Sequence, residues 1–202
     1  ATVIIMIFNW RDASYLHFGD NFRYSIFQVS SIITTTGFAT ADFELWSVLP
    51  QYILVLLMFI GGCAGSTGGG IKVARILLIF KHAQVQVFRL IHPRAIRLVK
   101  LGHRPVDKEV LQAILGFFAL FISIFVTASL LLAATGMDLV SAGGAVIACL
   151  SNIGPGLGTV GPVDNFAHVP SFGKSVLIVC MLMGRLELFT VLVLFFPSFW
   201  RK

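Results

Sequence analysis

Two short turns in this chain carry residue types suited to holding a cation that has shed its water. They are Thr35-Thr36-Gly37-Phe38 and Asn152-Ile153-Gly154-Pro155-Gly156. An extended turn of this kind can present the oxygens of its backbone carbonyls as ligands. Such oxygens replace an ion's hydration shell when successive carbonyls point along one axis. Gly37 and Gly154 supply backbone angles that side chains resist, and Pro155 stiffens the second turn by fixing its own φ. Taken singly, each turn reads more readily as loop punctuation. Together they ask for a joint explanation, because both follow a short capped segment and both precede a long apolar one.

Those short segments, 21–34 and 138–151, are the elements that must position the turns. Asp20 or Asn21 is the expected cap of the first and Asp138 that of the second, since side-chain oxygens satisfy free N–H groups at a helix start. Segments of this length fall below the ~20 residues needed to span a bilayer and fit re-entrant helices. A re-entrant helix aims the negative end of its dipole at the membrane centre. Irregular backbone at that depth is tolerated only where it is buried in protein or lines a water-filled cavity.

Composition places the chain in lipid. Hydrophobic residues make up 57% and charged residues 12%, with a mean hydropathy of +0.91; soluble domains carry roughly 25% charge. Uncharged stretches at 45–71, 110–137 and 175–184, the last continuing to 200, approach or exceed a membrane span. The net charge of +6 does not indicate nucleic acid, because nine of the 15 Lys and Arg residues lie between 72 and 108. The positive-inside bias makes that stretch cytoplasmic. Segments 9–45 and 137–172 then face outward, bringing Asp12, Asp20, Asp42, Glu44, Asp138 and Asp164 to a side where they could concentrate cations. Cys63, Cys149 and Cys180 read as packing residues, and His82, His92 and His103 match no metal spacing. The opening Ala-Thr-Val-Ile-Ile-Met-Ile-Phe lacks a signal-peptide pattern and reads as the tail of a helix. No nucleophile–base set or paired carboxylates suggest an enzyme.

The expected fold is all-α and integral to the membrane, with tandem helix/re-entrant loop/helix repeats around a central ion pore. The first repeat covers 1–80: a truncated first helix, a pore helix 21–34, a filter 35–39 and a helix 47–80 broken at 62–70. A basic cytoplasmic linker fills 81–107. The second repeat, 108–202, has a helix 108–135, a pore helix 138–151, a filter 152–156 and a helix 172–197. The break is expected because each glycine costs about 1 kcal/mol relative to alanine in a helix interior. Gly65, Ser66, Thr67, Gly68, Gly69 and Gly70 would line the pore below the filter. A phosphate-binding loop is disfavoured, since Ile71 separates Gly70 from Lys72; close helix packing through small residues is the other alternative. Arg185 puts a charge into an apolar spanning segment, at about 2.5–3.5 kcal/mol on insertion scales. It needs a partner or a cavity, and Glu187 is poorly placed because residues two apart do not face each other on a helix.

Ser31-Ile32-Ile33-Thr34-Thr35-Thr36-Gly37-Phe38, Gly61-Gly62-Cys63-Ala64-Gly65-Ser66-Thr67-Gly68-Gly69-Gly70-Ile71-Lys72 and Ser151-Asn152-Ile153-Gly154-Pro155-Gly156-Leu157-Gly158 occur here in that order. In this they resemble the TrkH/KtrB/HKT superfamily of potassium- and sodium-translocating membrane subunits. The resemblance covers nearly the whole chain and corresponds to the third and fourth of four pore repeats. It implies potassium uptake across a bacterial inner membrane, with K⁺ as the transported ion and no bound cofactor. It implies a filter lined by Thr35, Thr36, Asn152 and Ile153, flanked by Phe38 and Pro155, with Gly37 and Gly154 at signature positions. It further implies a gate formed by the glycine loop with Lys72 and Arg185, in which the arginine repels cations. The implied partners are the N-terminal half of the same polypeptide, a second copy in a homodimer, the lipid bilayer and a cytoplasmic nucleotide-binding subunit of the TrkA or KtrA type. The C-terminus would be cytoplasmic. The competing functional class is a Na⁺-permeable or ion-coupled secondary transporter with discontinuous helices.

Overall fold

Alternation of long apolar and short segments folds into two matching three-helix units. The computed structural model describes residues 1–93, 98–102, 104–186, 188–194 and 197–200; Arg94, Arg97, His103 and Glu187 lie outside the described residues. The first unit comprises α1 (Thr2–Arg11), α2 (Phe18–Ile33) and α3 (Val48–Ile60). The second comprises α5 (Lys108–Ala133), α6 (Leu139–Leu150) and α7 (Ser171–Arg185). In each unit all three helices touch one another, and the units meet through α3 and α6. Between them run α4 (Val73–Ile91), which packs on α5, and a two-residue antiparallel pair, β1 (Lys100–Leu101) with β2 (Arg104–Pro105). Two short helices, α8 (Leu188–Leu194) and α9 (Pro197–Trp200), follow α7.

Helix α5 alone among the described helices is long and apolar enough to cross a membrane unaided. Its 26 residues extend about 39 Å at 1.5 Å per residue. Val110, Val126 and Leu130 on it are exposed, as an apolar solvent permits. Helix α6 shows the opposite distribution. Every residue from Gly144 to Leu150 is buried, which is how a helix apolar on all sides must sit. Its start is fixed by Asp138, whose side chain accepts the Ser141 N–H at 3.1 Å. Phe43, Leu54, Met58, Phe121, Leu132, Ile147, Leu150 and Leu188 form the fully buried centre shared by both units.

Three sequence expectations need correction. Helix α2 starts at Phe18, not 21, with His17 as an N-cap that makes no side-chain bond. Asn21 is buried in its first turns instead, donating to the Met6 carbonyl at 2.9 Å and accepting from Ser25 Oγ at 3.1 Å. It ties α2 to α1, while Asp20 in the first turn complements the helix dipole. Helix α4 continues to Ile91, well into the expected linker, because Leu78 and Val85 still have a face to cover against Val99, Leu111 and Ile114. The last spanning segment does not run unbroken through 172–197: α7 ends at Arg185. The interruption falls where the chain carries a charge that must reach a polar partner.

Two stability measurements test this packing. A methyl group at Gly144 would stand 2.7 Å from Leu157 N and 2.8 Å from Leu157 O, whereas one at Gly19 would meet nothing within 4 Å. Gly144→Ala should therefore lower the melting temperature in detergent by the equivalent of about 1–3 kcal/mol, and Gly19→Ala should leave it unchanged or raise it. Hydrogen bonds from Ser141, first its hydroxyl and then its N–H, hold the Asp138 carboxyl below the usual carboxylate range. Its folded pKa is depressed, so its contribution is full above the unfolded value of about 3.9 and is lost as pH falls through the lower folded one. Asp138→Asn keeps a capping oxygen and should flatten that acid-side decline in a melting series from pH 6 to 3.

Candidate functional site

The two short helices end in the same way, bond for bond. The N–H groups of Thr34, Thr35 and Thr36 donate to the carbonyls of Ser30, Ile32 and Ser31 at 3.0–3.1 Å. Those of Ser151, Asn152 and Ile153 donate to Ile147, Cys149 and Ala148 at 2.8–3.0 Å. This is a Schellman closure, whose C′ residue takes the left-handed conformation. Here that residue is Thr35 (φ 56°) in one turn and Asn152 (φ 53°) in the other. Glycine normally fills the position; an L residue there costs about 1–2 kcal/mol, and a β-branched threonine is a genuine outlier. Two residues on, Gly37 (φ 74°) and Gly154 (φ 114°) turn the backbone left-handed again. Alternating handedness over Thr35–Gly37 and Asn152–Gly154 keeps each turn out of regular helix or sheet, leaving carbonyls free of ladder partners.

Each helix also grips the chain that leaves its turn. Ser31 Oγ donates to the Phe38 carbonyl at 2.7 Å, and Thr36 Oγ1 to the Ser31 carbonyl at 3.2 Å. One turn earlier on α2, the Gln28 carboxamide oxygen accepts the N–H groups of Thr40 (2.8 Å) and Ala41 (3.1 Å). The second unit achieves the same with fewer side chains. Ser141 Oγ accepts the Thr159 N–H at 2.9 Å, and the backbones of Gly144 and Gly156–Leu157 lie in direct contact. The two turns abut at Gly37, where a side chain would collide with the Ile153 carbonyl and stand 3.1 Å from Pro155 Cδ. Above them, the Glu44 carboxylate lies against Gly161 and accepts a backbone bond from Gly158. Burial raises its pKa and the Gly158 bond opposes that, while Asp42 and Asp164 nearby add to the rise. Three of the acids expected on the outer side thus share one neighbourhood.

The glycine loop occupies the space beneath. Helix α3 stops at Ile60, and the orphaned carbonyls of Phe59 and Ile60 accept the N–H groups of Ile71 (3.0 Å) and Lys72 (2.8 Å), while Gly62 O accepts from Val73 (3.2 Å). The loop is therefore an excursion with a closed stem, and α4 resumes at Val73 because Ile71 and Lys72 are spent on that stem. Gly61 and Gly70, both at positive φ, pass too close for side chains. The tip reaches both turns. Gly69 N–H donates to Thr35 Oγ1 at 3.3 Å, and a side chain on Gly69 would collide with the Ser151 carbonyl. Two cations hold the other side: Arg185 Nη1 donates to the Thr67 carbonyl at 2.7 Å and Lys72 Nζ to Ser66 O at 2.6 Å. Arg75 stacks over Phe117 at 4.1 Å, and with Ser66, Thr67, Gly68, Lys72 and Arg185 it borders a cavity of about 270 Å³.

Thr35, Gly37, Ile153 and Pro155 are thus brought together, as are Gly68 and Gly69 with Thr35, Thr67 with Arg185, and Ser66 with Lys72. The Phe38 residue is 73% exposed; side chains placed at Gly65 or Gly154 would meet nothing within 4 Å. Cys63, expected as a packing residue, is exposed on the loop, whereas Cys149 and Cys180 are buried. Among the described residues no three His, Cys, Asp or Glu could share a metal ion. Sequence reasoning missed Gln28, Ser141 and Gly184. Gln28 was detectable, because Asn21, Ser25 and Gln28 form a helically spaced polar stripe on a helix that must be buried. Gly184 gave no local signal; it is required because a side chain there would collide with the Leu150 carbonyl.

Comparison with known proteins gives the family and the fold. The family model TrkH, described as a cation transport protein, matches residues 2–202. The Trk system potassium uptake protein TrkH of Escherichia coli (strain K12) is 48% identical over 178 residues, which is 88% of this chain and 36% of that protein. The Trk system potassium uptake protein TrkI of Halomonas elongata is 35% identical over 99% of this chain and 41% of its own length. The crystal structure of the potassium transporter TrkH from Vibrio parahaemolyticus superposes with a TM-score of 0.91 at 45% identity, covering 99% of this chain and 42% of that one. The chain therefore spans well under half the length of these relatives. On the match across 2–202 and the shared all-α membrane fold, this chain belongs to the TrkH family of cation transport proteins.

Proposed function

We propose that this chain supplies two of four pore repeats in a potassium uptake protein of a bacterial inner membrane, with Thr35–Phe38 and Asn152–Pro155 forming half of the filter. The observation that carries the reading is the repeated left-handed turn at the ends of α2 and α6, set edge to edge at Gly37 and Ile153. Repetition of a strained backbone at two abutting sites is costly as decoration and useful as a carbonyl cage. The Asp42, Glu44 and Asp164 neighbourhood supports a vestibule that concentrates cations. The names of the relatives support K⁺ as the ion.

In this reading the remaining repeats come from the N-terminal half of the same polypeptide, and the complete protein works as a homodimer in the bilayer. The basic stretch 81–107 and the C-terminus lie in the cytoplasm, where 81–107 meets a nucleotide-binding regulatory subunit of the TrkA or KtrA type. The glycine loop is the gate. Pinned beneath both turns by the Thr35 and Arg185 bonds, it blocks the path, and Lys72 and Arg185 add positive charge that repels cations.

Flux through liposomes containing the complete protein tests the filter. K⁺ and Rb⁺ should pass well ahead of Na⁺ and Li⁺. Gly37→Ser forces a side chain onto the Ile153 carbonyl and Gly154→Ser strains a φ of 114°; each should erode the K⁺ preference at least about tenfold, equivalent to ~1.4 kcal/mol. Discrimination untouched by both substitutions would remove the filter assignment and favour a secondary transporter with its site elsewhere. The gate has its own test: Arg185→Ala should raise K⁺ leak through the resting protein about tenfold or more, the equivalent of losing one charge-assisted hydrogen bond, ~1.5–3 kcal/mol. Unchanged resting flux would exclude Arg185 from the gate.

A further inference from the structure

Thr35 and Asn152 hold the same place in the two turns, and each is the one residue there that pays for an unfavourable backbone with its side chain still in use. Thr35 Oγ1 accepts the Gly69 N–H of the glycine loop at 3.3 Å, and a methyl group at Gly68 would stand 3.0 Å from that oxygen. Asn152 Nδ2 donates to the Met181 carbonyl of α7 at 3.3 Å and lies 2.7 Å from where a Gly184 side chain would start. The next residue, Arg185, donates to Thr67 on the same loop. These contacts close a circuit from the first turn through the loop, Arg185 and α7 to the second turn. A carbonyl filter needs none of these side-chain bonds, since its ligands are main-chain atoms.

We propose that Thr35 and Asn152 are coupling residues, through whose side chains the position of the glycine loop and the occupancy of the two turns bias each other. The proposal rests on the filter-and-gate reading and deepens it. When the loop withdraws, Thr35 loses the bond to Gly69, and displacement of Arg185 shifts the α7 carbonyl that Asn152 holds. Left-handed strain at an L residue and the net worth of one hydrogen bond are of similar size, so losing the bond redistributes the turn's conformations. Coupling of this kind is reciprocal: an ion that stabilises the turn must change the loop's equilibrium by the same factor.

Cys63 makes the loop measurable, because it is exposed on the loop while Cys149 and Cys180 are buried. In the complete protein, the rate of Cys63 alkylation by a maleimide would be compared in K⁺ and in N-methyl-D-glucamine, with Cys63→Ser marking background. The wild type should show a K⁺-dependent change of about fivefold or more, the low end of typical coupling. Thr35→Val deletes the hydroxyl while keeping the shape, and should collapse that dependence; Thr35→Ser should restore it. Asn152→Asp, which tolerates the left-handed conformation but cannot donate to Met181, should collapse it as well. A wild-type rate indifferent to K⁺, or a Thr35→Val protein with undiminished K⁺ dependence, would overturn the proposal. K⁺ over Na⁺ flux in the same preparations separates the two ideas: preserved wild-type selectivity beside absent coupling sinks only this inference, whereas absent selectivity removes the filter reading and this inference with it.

Discussion

In a bilayer a peptide group that leaves its helix has no water to turn to, and an unsatisfied one costs several kcal/mol. Among the described residues, the irregular stretches that follow α2, α3 and α6 are organised around that constraint. The carbonyls left open where α2 and α6 end are closed by the Schellman bonds of Thr35–Thr36 and Asn152–Ile153. Those left open where α3 ends are closed by Ile71 and Lys72, arriving from the far side of the loop. Carbonyls of the loop itself are met by Arg185 and Lys72. Carbonyls of the two turns have no helix or sheet ladder to join, and a dehydrated cation is the partner that the proposed function gives them.

The same constraint explains why two positive charges sit in an apolar region. A guanidinium at this depth needs hydrogen-bond acceptors, and a glycine loop with exposed carbonyls needs donors. Each makes the other tolerable, and neither makes sense alone. The arrangement is conditional by construction, since moving the loop strips Arg185 of its acceptor and the loop of its donor. A rigid packed joint would have used apolar side chains, which bury well and do not depend on a single partner. The glycines at 61, 69 and 70 add the second requirement, close passage of main chain on main chain, so the loop's observed position is specified by shape as well as by charge.

Much of this was legible in the sequence, for physical reasons that can be named. Composition and the clustering of bases gave the membrane setting, because lipid tolerates few charges and the positive-inside bias acts on short loops. The glycine run predicted the break in the helix after Ile60, because helix propensity falls steeply there. Asp138 was readable as a cap because nothing competes for its role at an exposed helix start. Neither Asp20 nor Asn21 is the cap expected of α2, because burial of Asn21 against α1 overrode local preference, and α4 outran its predicted end because the face carrying Leu78 and Val85 still had a partner in Leu111 and Ile114. Left-handed Thr35 was not foreseeable at all: threonine resists that conformation, and only the contacts that hold it reveal why it is there.

The central claim is that a K⁺-sized ion sits between the two turns, and anomalous diffraction from Rb⁺-soaked crystals of the complete protein addresses it most directly. The account predicts a Rb⁺ peak bounded by the main-chain oxygens of Thr35–Phe38 and Asn152–Pro155, displaced by K⁺ and weakened by Na⁺ only at much higher concentration. Ordered Rb⁺ elsewhere in the membrane region, with none between these turns, would contradict it.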